Sequence, residues 1–120
     1  MKLIKRTTYL EELKELLHTP DIKVITGVRR CGKSKLLEAF SEWLIRHDAE
    51  SNIIHINYNL TDFEGLTDYH ALEKYVEDHY EPEKNNYMLV DEIQMCTSFE
   101  KAVNSLHARE KYDICLHDNV

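Results

Sequence analysis

Apolar residues recur along this chain in two rhythms, a helical spacing and short continuous runs, and the two take turns. Tyr9, Leu10, Leu13, Leu16 and Leu17 fall at helical spacing, Thr8-Tyr9-Leu10-Glu11 has the form of a capping box ahead of them, and Pro20 closes the segment. Ile22 to Thr26 is a β-branched run that reads as a buried strand. From Lys33 the pattern turns helical again, with Leu36, Leu37, Phe40, Trp43 and Leu44 on one stripe. Ile53 to Asn57 forms a second strand, followed by an acidic, turn-rich stretch from Tyr58 to Leu66. A helix is predicted from Thr67 to Tyr80, carried by Leu72, Tyr75, Val76 and His79, and ended by Pro82 and a Lys84-Asn85-Asn86 turn. Tyr87 to Val90 is the third apolar run. A second capping box, Thr97-Ser98-Phe99-Glu100, opens a helix with Phe99, Ala102, Val103 and Leu106 facing inward. Tyr112 to Leu116 is the last run in the readable pattern.

Strands alternating with helices predict an α/β fold, a parallel sheet of about four strands covered on both faces in a three-layer sandwich. The strand at Tyr112–Leu116 is expected to leave one sheet edge and part of the helical cover missing, an association hazard. With 120 residues the chain is one domain at most. Its 42% hydrophobic and 31% charged residues are those of a folded globular chain and exclude a disordered one. No apolar run approaches the ~20 residues of a membrane span, and the basic start Met1 to Arg6 is not followed by a signal core, so a cytoplasmic location and no membrane partner are expected.

Charge changes the picture in one respect. A formal net charge of −7 argues against broad nucleic-acid binding, yet Lys2, Lys5, Arg6, Lys23, Arg29, Arg30, Lys33 and Lys35 crowd the first third. We read these cations as a positive setting for a triphosphate. Cys31, Cys96 and Cys115 are odd in number and lack a C-x-x-C pairing, so neither a disulfide framework nor a zinc site is expected. Seven histidines are scattered without a tight ligand spacing, and most read as surface or partly packed residues.

The candidate chemistry lies between the first strand and the second helix. Gly27-Val28-Arg29-Arg30-Cys31-Gly32-Lys33-Ser34 fits G-x-x-x-x-G-K-[ST], the phosphate-binding P-loop. The chain has only three glycines, and two of them occupy the fixed positions of that pattern. Glycine lets backbone N–H groups turn toward phosphate oxygens, Lys33 supplies a point charge, and Ser34 is placed to hold Mg²⁺. Strand, glycine loop and helix in that order put Gly32, Lys33 and Ser34 at a helix N-terminus, where an anion is favoured. Gly27 through Lys35 is therefore the expected nucleotide-binding segment.

A second site follows the third strand. Four apolar residues and then Asp91-Glu92 form a Walker B pattern, with Asp91 expected beside the loop strand to hold Mg²⁺ together with Ser34. Glu92 is the expected catalytic base, polarising the attacking water, and Lys33 the other catalytic residue. The D-x-x-G and N-K-x-D patterns of GTPases are absent, and the acidic doublet favours ATP and hydrolysis over phosphoryl transfer to a small acceptor.

With these residues in view, the chain resembles a prokaryotic family of AAA-type ATPases whose members carry I-x-G-x-R-R-x-G-K-[ST] and later D-E-[IV]-Q. Ile25 to Ser34 and Asp91-Glu92-Ile93-Gln94 carry the likeness, which runs from Leu3 to Leu116. It implies ATP and Mg²⁺ as ligands, Gln94 as a sensing or supporting residue, and assembly with further copies as an open question. Family members continue into a polar T-G-S-N-like segment, an active-site arginine and a C-terminal domain, whereas this chain reads His117-Asp118-Asn119-Val120 and stops. We therefore expect a partial ATP-binding domain over residues 1–120, with an N-terminal helix at 1–20, a P-loop core at 21–116 and a divergent tail at 117–120. ATP binding with weak or absent hydrolysis is the expected function, and a non-catalytic interaction module the alternative.

Overall fold

In the computed structural model, which describes residues 2–4, 9–17, 19–26 and 36–118, the apolar runs assemble into one all-parallel sheet. Its strands are β1 (Lys2–Ile4), β2 (Lys23–Thr26), β3 (Ser51–Asn57), β4 (Asn85–Asp91) and β5 (Tyr112–Asp118). Helices α1 (Tyr9–Glu15), α2 (Leu36–His47), α3 (Tyr69–Asp78) and α4 (Phe99–Ala108) connect them. Parallel neighbours require crossovers, and each crossover lays a helix on a face of the sheet.

Side-chain alternation along the strands sorts the core into two layers. Val24, Ile54, Ile56, Met88, Val90, Ile114 and Leu116 pack with Leu72 and Val76 of α3 and with Ala102, Val103 and Leu106 of α4. On the other face Ile25, Tyr87, Leu89 and Cys115 pack with Leu13 of α1 and with Leu37, Phe40 and Leu44 of α2. The expected three-layer α/β sandwich is what forms.

Strand order departs from the sequence reading. The sheet runs β1-β2-β5-β4-β3, five strands among the described residues where about four were expected. β1 is three residues long, too short to show a period, and pairs in parallel with β2 through Leu3 opposite Val24. β5 is not at an edge but central, hydrogen-bonded to β2 on one side and β4 on the other. Ile114-Cys115-Leu116, buried on both faces, is the unbroken apolar run that a central parallel strand needs. β4 therefore does not lie beside the loop strand as expected, because β5 separates them. β5 also continues past Leu116, pairing His117 with Ile25 and Asp118 with Thr26, so the tail boundary at 117 falls inside a strand.

Local chemistry explains the other differences. Asn85 and Asn86, expected in a turn, begin β4. The buried Asn86 amide donates to the carbonyls of Glu81 and Lys84 at 2.8 and 2.9 Å, and accepts from Glu81 N at 2.9 Å and Asn52 Nδ2 at 2.7 Å. It closes the turn from its strand end. The Thr97 capping box does not form; Thr97 N bonds to Thr67 O at 2.9 Å in an isolated bridge, and Ser98 begins α4 in a left-handed conformation (φ 56°). α3 has the cap that its pattern lacked, Asp68 Oδ1 accepting from Ala71 N at 3.0 Å, a contact worth about 1 kcal/mol. The capping box at Thr8 lies outside the described residues.

Candidate functional site

In a parallel sheet every strand points the same way, so all the carboxyl ends meet on one rim, and the connecting helices begin there. β2 ends at Thr26, directly before Gly27, and α2 runs back from Leu36. Gly27, Val28, Arg29, Arg30, Cys31, Gly32, Lys33, Ser34 and Lys35 lie outside the described residues. The strand and helix that flank them match the order the motif demands.

Asp91 closes β4 on this same rim and is buried, as is Glu92 after it. Asp91 Oδ2 accepts from His55 Nε2 of β3 at 2.9 Å, and its carbonyl accepts from Tyr58 N at 3.2 Å. Asp91 Oδ1 is buried with no hydrogen bond. One oxygen is thus fixed by a neighbouring strand while the other is left open. Glu92 leaves the strand geometry with φ 58° and ψ 48°, a left-handed conformation uncommon for a residue with a side chain. Its Oε1 accepts from Gln94 Nε2 at 3.1 Å, so the two polar members of Asp91-Glu92-Ile93-Gln94 beyond Asp91 are joined. Its Oε2 lies 3.0 Å from Nδ1 of His117, within ion-pair distance but without the alignment of a hydrogen bond.

Two of these groups escaped the sequence reading. His55 and His117 are far apart in sequence and belong to no spacing motif, yet strand pairing brings one to each acid. The available signal was positional: His117 falls at the polar end of the apolar run of β5, and His55 interrupts the apolar run of β3 between Ile54 and Ile56. Asp118, also beyond the apolar run, is pushed up from the ordinary carboxylate range, first by burial and then by the charges of Glu100 and Glu92, with His117 opposing.

Lys23 belongs elsewhere. It sits at the amino end of β2, about 10 Å along the strand from Thr26. There its buried ammonium is 2.7 Å from Asp113 Oδ1 and 3.0 Å from Thr19 O. Strand pairing sets Lys2 opposite it, so these two of the cations expected around a triphosphate stand at the amino ends of their strands, away from Thr26. The amino rim also holds an open groove of about 490 Å³ lined by residues including Pro20, Tyr87, His107 and Tyr112. Its buried polar groups are paired, Tyr87 Oη with Asp48 at 2.7 Å among them, so the unsatisfied chemistry lies on the opposite rim.

Metal chemistry at that rim is restricted by what the chain offers. Among the described residues no group of three or more His, Cys, Asp or Glu gathers as a cation cage. A single open carboxylate oxygen suits Mg²⁺, which is commonly held by one or two carboxylates together with phosphate oxygens and water. Among the described residues no helix is long and apolar enough to cross a membrane.

Fold and rim together define a nucleotide-binding domain of the P-loop class, and comparison with known proteins specifies which. Residues 19–118 match the family model described as an AAA domain, and the chain belongs to that family of AAA-type ATPases. An uncharacterised protein of Haemophilus influenzae is 32% identical over 116 residues, covering 95% of this chain and 29% of its own length. The chain thus spans less than a third of that relative. No solved structure matches it.

Proposed function

We propose that this chain is the part of an AAA-type ATPase that holds Mg·ATP, with Gly27 through Lys35 as the phosphate loop and Asp91 and Glu92 as its acidic partners. The observation that carries the reading is the buried Asp91-Glu92 pair on the carboxyl rim, with Asp91 Oδ1 open and the loop strand one strand away. Backbone N–H groups of the loop bind the phosphates, Lys33 neutralises the terminal ones, and Ser34 and Asp91 Oδ1 hold the metal. When bound, Mg²⁺ offsets phosphate charge and orients the triphosphate. His55 keeps Asp91 turned so that Oδ1 remains available. Glu92 polarises the water that attacks the γ-phosphate, and its burial excludes competing solvent.

Turnover by this chain alone is slow in our reading. Among the described residues the arginines are Arg46, in the last turn of α2, and Arg109, capping α4. Helix carboxyl ends lie over the amino rim, and Arg109 is occupied by Glu73 at 3.1 Å. An arginine acting on the transferring phosphoryl group contributes ~10³–10⁵ in rate where one is present. The domain is read as cytoplasmic.

Calorimetric titration of Mg·ATP into the chain and into Lys33→Ala tests this. Binding by the parent and its loss in the variant are expected. Affinity that survives the substitution overturns the loop assignment.

A further inference from the structure

β5 stands between the strand that feeds the loop and the strand that carries the acids, so its last residues can reach both. Cys115 faces α1 and α2, and a period of two puts His117 on that face, the face from which the loop's helix α2 packs. His117 is 2% exposed, and neither ring nitrogen has a hydrogen-bond partner. Its Nδ1 lies 3.0 Å from Oε2 of Glu92, an oxygen that is equally buried and equally unpartnered. Groups buried at that distance without another partner are each other's available source of compensation. The other oxygen of the same carboxylate is already taken by Gln94 at 3.1 Å. Glu92 also keeps a left-handed backbone with φ 58°, a conformation that persists when the surroundings over-determine it.

We propose that His117 is a positioning residue for Glu92. With Gln94 it grips the carboxylate from both sides and fixes Oε2 toward β5, the side on which the loop strand lies. This rests on the reading of Glu92 as the group that polarises water. It gives the polar end of β5 a task in the reaction, where the strand pattern alone shows an apolar run losing its character.

The test combines three variants with three readouts. His117→Leu keeps the bulk of the side chain and removes the nitrogen. His117→Asn can place an amide N–H near the position of Nδ1. In single-turnover hydrolysis at saturating Mg·ATP, His117→Leu is expected to lower the rate roughly tenfold or more, because small misplacements of a catalytic group are costly. Its Kd for Mg·ATP, by calorimetry, is expected to stay within about twofold, and His117→Asn to recover most of the rate. Independently of turnover, Glu92→Gln is expected to shift the His117 ring signals in spectra of the ¹⁵N-histidine-labelled chain. A full rate in His117→Leu, while Glu92→Gln abolishes hydrolysis, overturns the positioning role and leaves the Glu92 reading intact. An unchanged rate in Glu92→Gln overturns the Glu92 reading and the inference with it. Ring signals that do not respond to Glu92→Gln also overturn it, even if His117→Leu does not fold.

Discussion

The two rims of the sheet are built from similar residues and treated oppositely. On the amino rim, Lys23 is paired with Asp113, Asn86 uses its amide in four hydrogen bonds, and Tyr87 donates to Asp48. On the carboxyl rim, Asp91 Oδ1, Glu92 Oε2, both ring nitrogens of His117 and Asp118 Oδ1 are buried without hydrogen bonds. Every buried side-chain atom left unpartnered among the described residues belongs to this rim or the residue just beyond it. Buried polar groups are ordinarily satisfied, so a concentration of exceptions at one end sets that rim apart from the polar cap that holds the other, and it supports the site proposed there. The difference also predicts how each rim responds to substitution.

The largest effect is expected on the amino rim. Lys23→Met leaves Asp113 near an apolar stem in place of an ammonium, and breaking a buried pair from one side costs about 3–5 kcal/mol. Urea denaturation of the variant should show a midpoint lowered accordingly. If the variant is as stable as the parent, the amino rim is not the structural cap that the pairing implies.

On the carboxyl rim the same kind of change should leave the fold standing and remove function. Asp91→Asn and Glu92→Gln each take a charge from a buried, incompletely satisfied site, so stability should hold within about 1 kcal/mol of the parent or rise. Glu92→Gln should meanwhile lower any hydrolysis about 10²-fold or more while Mg·ATP still binds, and Asp91→Asn should weaken the Mg²⁺ dependence of binding. A fall in stability as large as that of Lys23→Met would erase the distinction between the rims.

How much of this was legible before the structure depended on what each residue's signal was made of. Leu36, Leu37, Phe40 and Leu44 announce α2 because helical burial imposes a period, and Asp91-Glu92 is visible because the chemistry requires adjacent acids after an apolar run. Strand order leaves no such trace. Nothing in Tyr112 to Leu116 says that β5 inserts between β2 and β4, and without that order His117 cannot be connected to Glu92. Asn86 misled for a related reason, since its amide is a turn signal by type and closes a turn from a position inside the strand. Lys23 misled because charge was read by nearness in sequence to the loop, whereas a strand carries its two ends to opposite rims.

The smallest effect distinguishes the rims by pH. Asp118 has a folded pKa raised above its ordinary value, with burial the leading cause and Glu100 and Glu92 adding to it. A raised acid binds its proton more tightly in the folded state, so its contribution is fully present below the unfolded carboxylate pKa of about 4 and is lost as pH rises through the folded value. At neutral pH the ionised Asp118 therefore works against the fold. Asp118→Asn should be more stable than the parent at pH 7, and that advantage should shrink as the pH falls and be gone below about 4, where the parent carboxyl is protonated in both states. Denaturation midpoints of the two proteins across that window decide it. An advantage for the variant that grows on acidification would mean that Asp118 is held by a favourable partner, and would move the end of β5 into the same class as the paired amino rim.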